Sequence, residues 1–157
     1  MSRPDADEKV LATNRQAYHR YFVLEKLEAG ISLEGAEVKS IREGKVNLKD
    51  AYARVRQGQA YLLNCHISPY ANAGPFAPNP TRERRLLLHR REILRLQAAT
   101  DRDGHTLVPL RMYMKGRRIK IEIGVAKGKK THDKREAKRS ETLDREARQE
   151  VKRARQK

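Results

Sequence analysis

The last 31 residues, 127–157, limit most strongly what this chain can fold into. They carry 13 basic and 6 acidic side chains, a net charge of +7, and no Gly or Pro beyond Gly128. Good helix formers dominate, but the apolar side chains form one stripe too thin to pack against a protein core. We therefore predict a tail that is disordered alone and helical on a polyanion, and a folded body made by the preceding residues. The stripe consists of Ala137, Leu143, Ala147, Val151 and Ala154.

The charge of the whole chain indicates the same class of partner. Its 157 residues include 36 Lys and Arg against 20 Asp and Glu, a formal net charge of +16, and 38% are hydrophobic. This balance favours one small domain with an extension, and RNA or DNA as the partner. The alternative interpretation of the charge is a basic surface that faces solvent and binds no polyanion.

A membrane is a weaker candidate partner. No apolar run approaches the ~18 residues of a membrane-spanning helix. The chain has no Trp and two Phe, whereas an interfacial helix needs several bulky apolar side chains on one face. Residues 1–9 are polar and of mixed charge, without an apolar signal region. We therefore expect a cytoplasmic protein with no membrane contact.

Alternating apolar and polar side chains predict two β-hairpins in the body, over residues 50–67 and 107–125. The second has one apolar and one basic face. Residues 19–27 predict another strand, and 34–42 a short helix. A further helix is expected over 81–99, with room for a break near its middle. Since no parallel βαβ pattern is present, we predict a mainly β fold with flanking helices, an antiparallel barrel of the oligonucleotide-binding type.

Catalytic and metal-binding patterns are absent from the sequence. Cys65 is the single cysteine, and the five histidines do not recur at metal-ligand spacing. Cys65 and His66 are neighbours on a predicted strand and so face opposite sides. The segment 124–131 resembles a phosphate-binding loop, but it has three residues between its glycines instead of four, and a second Lys before Thr131. We predict no cofactor and no metal. We expect Lys127, Lys129 and Lys130 of this segment to contact phosphates.

Short segments in a fixed order carry a resemblance to a known family. They are residues 14–15 with 19–22, 28–31, 35–42, 47–52, 66–70, 86–89, 107–110, and 126–130 with 133–135. Their joint order and spacing closely resemble the small protein B family, bacterial proteins that bind transfer-messenger RNA, also called SsrA RNA. The resemblance covers about residues 12 to 136.

The resemblance implies an adaptor of trans-translation, which rescues ribosomes stalled on messages without a stop codon. It implies a flexible N-terminus over 1–12, an oligonucleotide-binding-type barrel over 13–126, and a tail over 127–157 that becomes helical on the ribosome. The expected partners are the tRNA-like domain of transfer-messenger RNA, bound one-to-one by a monomer, and the RNA of the small ribosomal subunit. The tail would probe the empty message channel and the decoding centre.

The resemblance also implies two sets of functional residues. Asn14, Glu28 and Leu87 match family positions important for transfer-messenger RNA, although Leu87 is equally compatible with a place in the core. The set expected to bind the tRNA-like domain is Asn14, Arg15, His19, Glu28, Lys39, Arg42 and Leu87. The set expected to meet the ribosome and its decoding centre is Lys127, Lys129, Lys130, His132, Asp133, Lys134 and Arg135.

Two other functional classes remain open on the sequence alone. A permanent ribosomal protein with a basic extension has the same composition as an adaptor. An RNA-processing enzyme needs a metal or acid–base constellation, which the sequence lacks.

Overall fold

The computed structural model of the chain describes residues 8–71 and 73–129. These residues form nine strands, three α-helices and one 3-10 turn, Gly74–Phe76. The helices are α1 Arg15–Arg20, α2 Gly35–Arg42 and α3 Arg90–Asp103. The strands are β1 Glu8–Thr13, β2 Tyr21–Ile31, β3 Val46–Asn47, β4 Tyr52–Arg56, β5 Gln59–Leu63, β6 His66–Ile67, β7 Arg84–Leu87, β8 Thr106–Lys115 and β9 Arg118–Gly128.

The main sheet is antiparallel and closes on itself. Its order is β1-β8-β4-β5-β7-β2-β9, and β9 pairs back onto β8. Closure leaves β1 as an added strand on β8, while β3 and β6 form a separate two-stranded sheet. The predicted mainly β barrel with flanking helices and both predicted hairpins are confirmed. The predicted helical tail lies beyond residue 129, outside the described residues.

The core lies inside the barrel and is closed by α3. Leu62, Met112, Ile121 and Ile123 are fully buried there, because inward and outward side chains alternate along each strand. Leu96 of α3 is also fully buried in this cluster.

A second, smaller cluster lies on the outer face of β8. Ala17 of α1 packs there with Val108, Leu110 and Ala126. A β-bulge shifts the register between Pro109 and Arg111, and such a bulge changes which face the following side chains point to. Hence Leu110 lies in the outer cluster and Met112 in the core, although they are two residues apart. The outer cluster holds α1 against the barrel wall.

A buried ion-pair network fixes α2 to the barrel. Arg84 on β7 is 0% exposed and Glu37 on α2 is 3% exposed. Arg84 Nε donates to Glu37 Oε2 at 2.6 Å, and its Nη1 donates to the Cys65 carbonyl at 2.7 Å. Arg82 Nη2 donates to the other carboxylate oxygen at 2.5 Å. The network places α2 beside the end of β2.

Three sequence-based predictions differ from the structure. Residues 84–87 form strand β7 between β5 and β2, not the start of a helix, because backbone pairing outweighs the helix propensity of a short Arg- and Leu-rich segment. Residues 15–20 form α1, so β2 begins at Tyr21 rather than at residue 19. Residues 8–12, expected in a flexible N-terminus, belong to β1 and pair with β8. Three consecutive apolar residues in this segment break the alternation that predicts a strand, so its pairing with β8 is not visible in the local sequence.

Candidate nucleic-acid interface

A groove of about 460 Å³ runs across the outside of the barrel where β2 lies between β7 and β9. Gly30 is at its centre, paired with Leu87 on β7 and with Lys120 on β9. Glu28, two residues before Gly30 on β2, lines the same groove. The structure thus brings together Glu28 and Leu87, two of the residues that the family resemblance singled out. Arg85, His89 and Glu92 also line the groove.

Leu87 is on the surface and not in the core. Its side chain is 47% exposed, whereas Leu86, its neighbour on β7, is 1% exposed. A second hollow of about 440 Å³ continues from the groove, and Leu87, Gly30 and Lys120 line both. Arg117 and Arg118 line the second hollow. Leu87 is therefore an exposed apolar side chain between a groove of mixed charge and a hollow whose charged side chains are all basic.

Glu28 is a fixed hydrogen-bond acceptor in this groove. Its Oε2 accepts a hydrogen bond from the Tyr113 hydroxyl and another from Lys115 Nζ at 3.5 Å. The hydrogen bond from Tyr113 is the main reason that the pKa of Glu28 lies below its ordinary value of 4.5; partial burial acts in the opposite direction, and Lys115 and Lys120 add to the lowering. The carboxylate is thus ionised at neutral pH. It can accept a hydrogen bond from a base amino group or a 2′-hydroxyl, but it repels a phosphate.

Asn14 is buried and tied to the barrel. Its side-chain Nδ2 donates to the Leu48 carbonyl at 3.2 Å and to the Pro109 carbonyl at 2.9 Å. Its backbone N–H donates to the Leu110 carbonyl at 2.8 Å. Because both amide protons are used within the protein, Asn14 connects β1, α1, β8 and the segment before β4.

The start of the C-terminal tail is fixed to α1. The Lys129 N–H donates to the Arg20 carbonyl at 2.8 Å, and its Nζ donates to the Tyr18 carbonyl at 3.0 Å. The same ammonium lies 5.0 Å from the centre of the Phe22 ring. These carbonyls are at the C-terminal end of α1, where a cation is favoured. Lys127 is exposed nearby.

The other predicted site residues lie apart from the groove or outside the residues that the structure describes. Arg15 is exposed and His19 half-buried on α1. Lys39 and Arg42 are exposed on α2, with Lys39 Nζ 5.3 Å from the centre of the Tyr70 ring. The structure therefore does not join these residues, or Asn14, with Glu28 and Leu87. Outside the described residues lie Lys130, His132, Asp133, Lys134 and Arg135.

The sequence does not single out the cationic side chains of the groove and of the second hollow. The alternation predicts a basic face for the second hairpin, but it assigns Arg118 and Lys120 to no site. For Arg85 the sequence predicts a helix, whereas the residue lies on strand β7. The alternation of Arg118 and Lys120 with buried isoleucines was the available signal, but it does not show which strand lies beside β9.

Neither a reactive thiol nor a metal-binding cluster is found in the described part of the chain. Burial raises the pKa of the Cys65 thiol to about 11, so it stays protonated at neutral pH and is a poor nucleophile. Within residues 8–71 and 73–129, no three His, Cys, Asp or Glu side chains are grouped to hold a metal ion. No helix in the same ranges is long and apolar enough to cross a membrane.

The comparisons with known proteins all indicate the same family. The family model described as SmpB protein matches residues 11–153. The SsrA-binding protein of Carboxydothermus hydrogenoformans is 54% identical over 147 residues, covering 94% of this chain and 96% of the relative. That of a Roseiflexus species is 52% identical over 155 residues, covering 98% and 96%.

A solved structure agrees with this assignment. It is described as "tmRNA-SmpB: a journey to the center of the bacterial ribosome", and one of its chains is 44% identical to this one with a TM-score of 0.67. The similarity covers 82% of this chain and 94% of the solved chain. The likeness therefore extends over most of both chains.

Proposed function

The chain belongs to the SmpB protein family, and from this premise we propose that it is an RNA-binding adaptor of trans-translation. It binds the tRNA-like domain of transfer-messenger RNA and brings that RNA to stalled ribosomes. Its relatives are named for SsrA binding, and the solved neighbour is named for transfer-messenger RNA and the ribosome. The chain acts in the cytoplasm as a monomer, one per RNA, and catalyses no step; peptide transfer belongs to the ribosome.

The groove around Gly30 is the observation that carries this proposal. A purely basic surface binds any polyanion, because phosphate attraction is independent of sequence. This groove adds an exposed Leu87 and an ionised Glu28 to its cations. Leu87 offers apolar contact to a sugar or base, and Glu28 accepts only from a hydrogen-bond donor. Together they favour a folded RNA that presents a donor and an unpaired surface between its phosphates.

Different parts of the chain perform the two tasks. The barrel, taken as residues 13–126 with β1 added to it, binds transfer-messenger RNA, with Arg15, His19, Lys39 and Arg42 as further phosphate contacts. The tail, 127–157, binds the message channel of the small subunit. A helix of 20 residues within this tail would span ~30 Å, and message already in the channel would exclude it. The side chains proposed to meet ribosomal RNA are Lys127, Lys129, Lys130, His132, Asp133, Lys134 and Arg135.

Filter binding with the isolated tRNA-like domain tests the role of the groove. We expect Lys120→Gln to weaken binding more than Lys9→Gln, an exposed lysine on β1. Both variants lose one positive charge, so the difference between them reports the location of the RNA. An unrelated duplex RNA at the same salt serves as the reference ligand. Equal wild-type affinity for the two RNAs would contradict the proposed function.

A truncation tests the division between barrel and tail. A chain that ends after Lys129 keeps the contacts of Lys129 with α1. We expect it to bind the tRNA-like domain within about twofold of the full chain and to lose tagging of stalled peptides in a reconstituted translation assay. Loss of RNA binding together with tagging would refute the separation of tasks.

A further inference from the structure

A second cavity, separate from the groove, lies between α1 and the segment before β4. Its volume is about 210 Å³. Gln16, Ala17 and Arg20 of α1 form one wall, and residues 49–52 form the other. Thr106 and Val108, on the face of β8 that α1 covers, are the floor. We call this cavity the α1 pocket; its lining is completed by Asn14 and Tyr21.

The size of the α1 pocket limits its ligand to one small ring system. The volume of about 210 Å³ equals about seven water molecules at ~30 Å³ each. It is below the ~300–1,000 Å³ of pockets for drug-sized ligands. A single nucleobase fits this range, whereas a base pair does not.

The walls offer the contacts that a nucleotide needs. Tyr52 is 39% exposed at the pocket, and an exposed aromatic ring is a stacking surface for a base. Arg20 and Lys49 are exposed, and no ion pair engages either of them within the described part of the chain.

Asn14 holds the two walls at a fixed separation. One hydrogen bond of its Nδ2 goes to the Leu48 carbonyl, just before the 49–52 wall, and the other goes to the Pro109 carbonyl of β8. Since Asn14 also begins α1, it connects both walls to the floor. A cavity braced in this way is present before its ligand arrives, which lowers the cost of binding.

We propose that the α1 pocket receives one unpaired base of RNA, stacked on Tyr52 with its flanking phosphates at Arg20 and Lys49. The proposal shares with the proposed function only that the partner is RNA. The pocket adjoins the start of the tail, because the Arg20 carbonyl accepts from the Lys129 N–H and Thr106 pairs with Ala126. The base could thus come from transfer-messenger RNA or from ribosomal RNA near the tail.

The test compares Tyr52→Ala with Tyr52→Phe in two binding assays, one with the isolated tRNA-like domain and one with vacant ribosomes. Loss of a stacking ring predicts about a tenfold weaker Kd for Tyr52→Ala, with Tyr52→Phe within about twofold of wild type. The assay that shows the loss identifies the source of the base. Tyr61→Ala is the matched control, since Tyr61 lies on β5 outside the pocket, beneath Arg56.

Wild-type affinity of Tyr52→Ala in both assays, or a loss no greater than that of Tyr61→Ala, would overturn the proposal. If Tyr52→Ala melts at a lower temperature than wild type, Lys49→Gln is compared with Lys9→Gln instead. Weaker RNA binding by Lys49→Gln alone supports base binding in the α1 pocket, and equal Kd values for the two variants refute it. If the wild-type chain does not prefer the tRNA-like domain to an unrelated duplex RNA, the proposed function is wrong. The ribosome assay would still show whether the α1 pocket binds a base.

Discussion

Two carboxylates, Glu37 and Glu28, are both held by hydrogen-bond donors from other parts of the chain but lie in opposite surroundings. Glu37 on α2 is 3% exposed and is held by Arg84 and Arg82. Glu28 on β2 is an exposed residue and is held by Tyr113 and Lys115. Both have a pKa below the ordinary value of 4.5. A perturbed carboxylate therefore does not by itself mark a functional site; exposure separates the structural one from the one available to RNA.

Glu37→Gln is the variant with the largest expected effect, and it acts on stability. The substitution leaves the buried guanidinium of Arg84 without its counter-charge, and breaking a buried pair costs about 3–5 kcal/mol. We expect a loss of this size in urea unfolding. The matched control is Glu43→Gln, since Glu43 pairs with Lys45 at 3.1 Å on the surface, where a pair contributes at most about 1 kcal/mol. Equal losses for the two variants would contradict a structural role specific to Glu37.

The acid limb of the stability curve gives a second readout for Glu37. Burial raises its pKa, but hydrogen bonds from Arg82, the Glu34 N–H and Arg84 outweigh burial, so the net pKa is lowered. A lowered carboxylate pKa stabilises the fold above the ordinary value of 4.5, and this stability is lost as the pH falls through the folded-state pKa. We therefore expect Glu37→Gln to flatten the dependence of unfolding free energy on pH below about 5.

Glu28→Gln is expected to act on RNA binding instead. A hydrogen bond to a charged group contributes about 1.5–3 kcal/mol, so the affinity for the tRNA-like domain should fall about tenfold or more. Thermal unfolding should change little, because the side chain is partly solvated. An increase in RNA affinity would contradict this prediction. It would mean that Glu28 only repels phosphates and that the proposed acceptor role is wrong.

The fold could be predicted from sequence wherever local periodicity determines it. The hairpin of β8 and β9 was predicted because Ile119, Ile121 and Ile123 alternate with polar residues over a long strand. Strand β7 was missed because its four residues carry no helix-breaking signal, and its identity depends on pairing with β5 and β2. Strand β1 was missed for the same reason: its partner, β8, is about a hundred residues away.

The candidate site could be predicted only in part. Family resemblance singled out Glu28 and Leu87, but no periodicity shows that strands separated by some 60 residues lie side by side. Lys120 joins them only through the register of β2 and β9. Asn14 was expected to contact RNA, whereas its amide protons are used within the protein. Its Nδ2 therefore already has partners within the protein, and its role in RNA binding stays a prediction.

Gly30→Ala is expected to alter the groove by packing alone. A Cβ at Gly30 would lie 3.1 Å from Leu87 Cβ, which is fixed to the backbone of β7 and cannot rotate away. We expect Leu87 to be displaced and the affinity for the tRNA-like domain to fall about fivefold, at a stability cost of about 1–2 kcal/mol. Gly35→Ala is the control, since a Cβ there meets nothing within 4 Å. Unchanged affinity in Gly30→Ala would exclude Leu87 from the RNA contact.

Tyr113→Phe is the smallest and most specific perturbation, because it removes one hydroxyl and leaves the carboxylate of Glu28 in place. The hydrogen bond from Tyr113 is the main cause of the lowered pKa of Glu28, so its loss should raise that pKa towards 4.5. Carbon-detected NMR titration of the Glu28 carboxyl measures this shift directly, and unfolding should show a loss of about 1 kcal/mol. RNA affinity should fall less than in Glu28→Gln, since the charged acceptor remains but is no longer held in one orientation. An unchanged Glu28 titration would mean that Lys115 and Lys120 alone lower its pKa; Tyr113 would then have only a packing role.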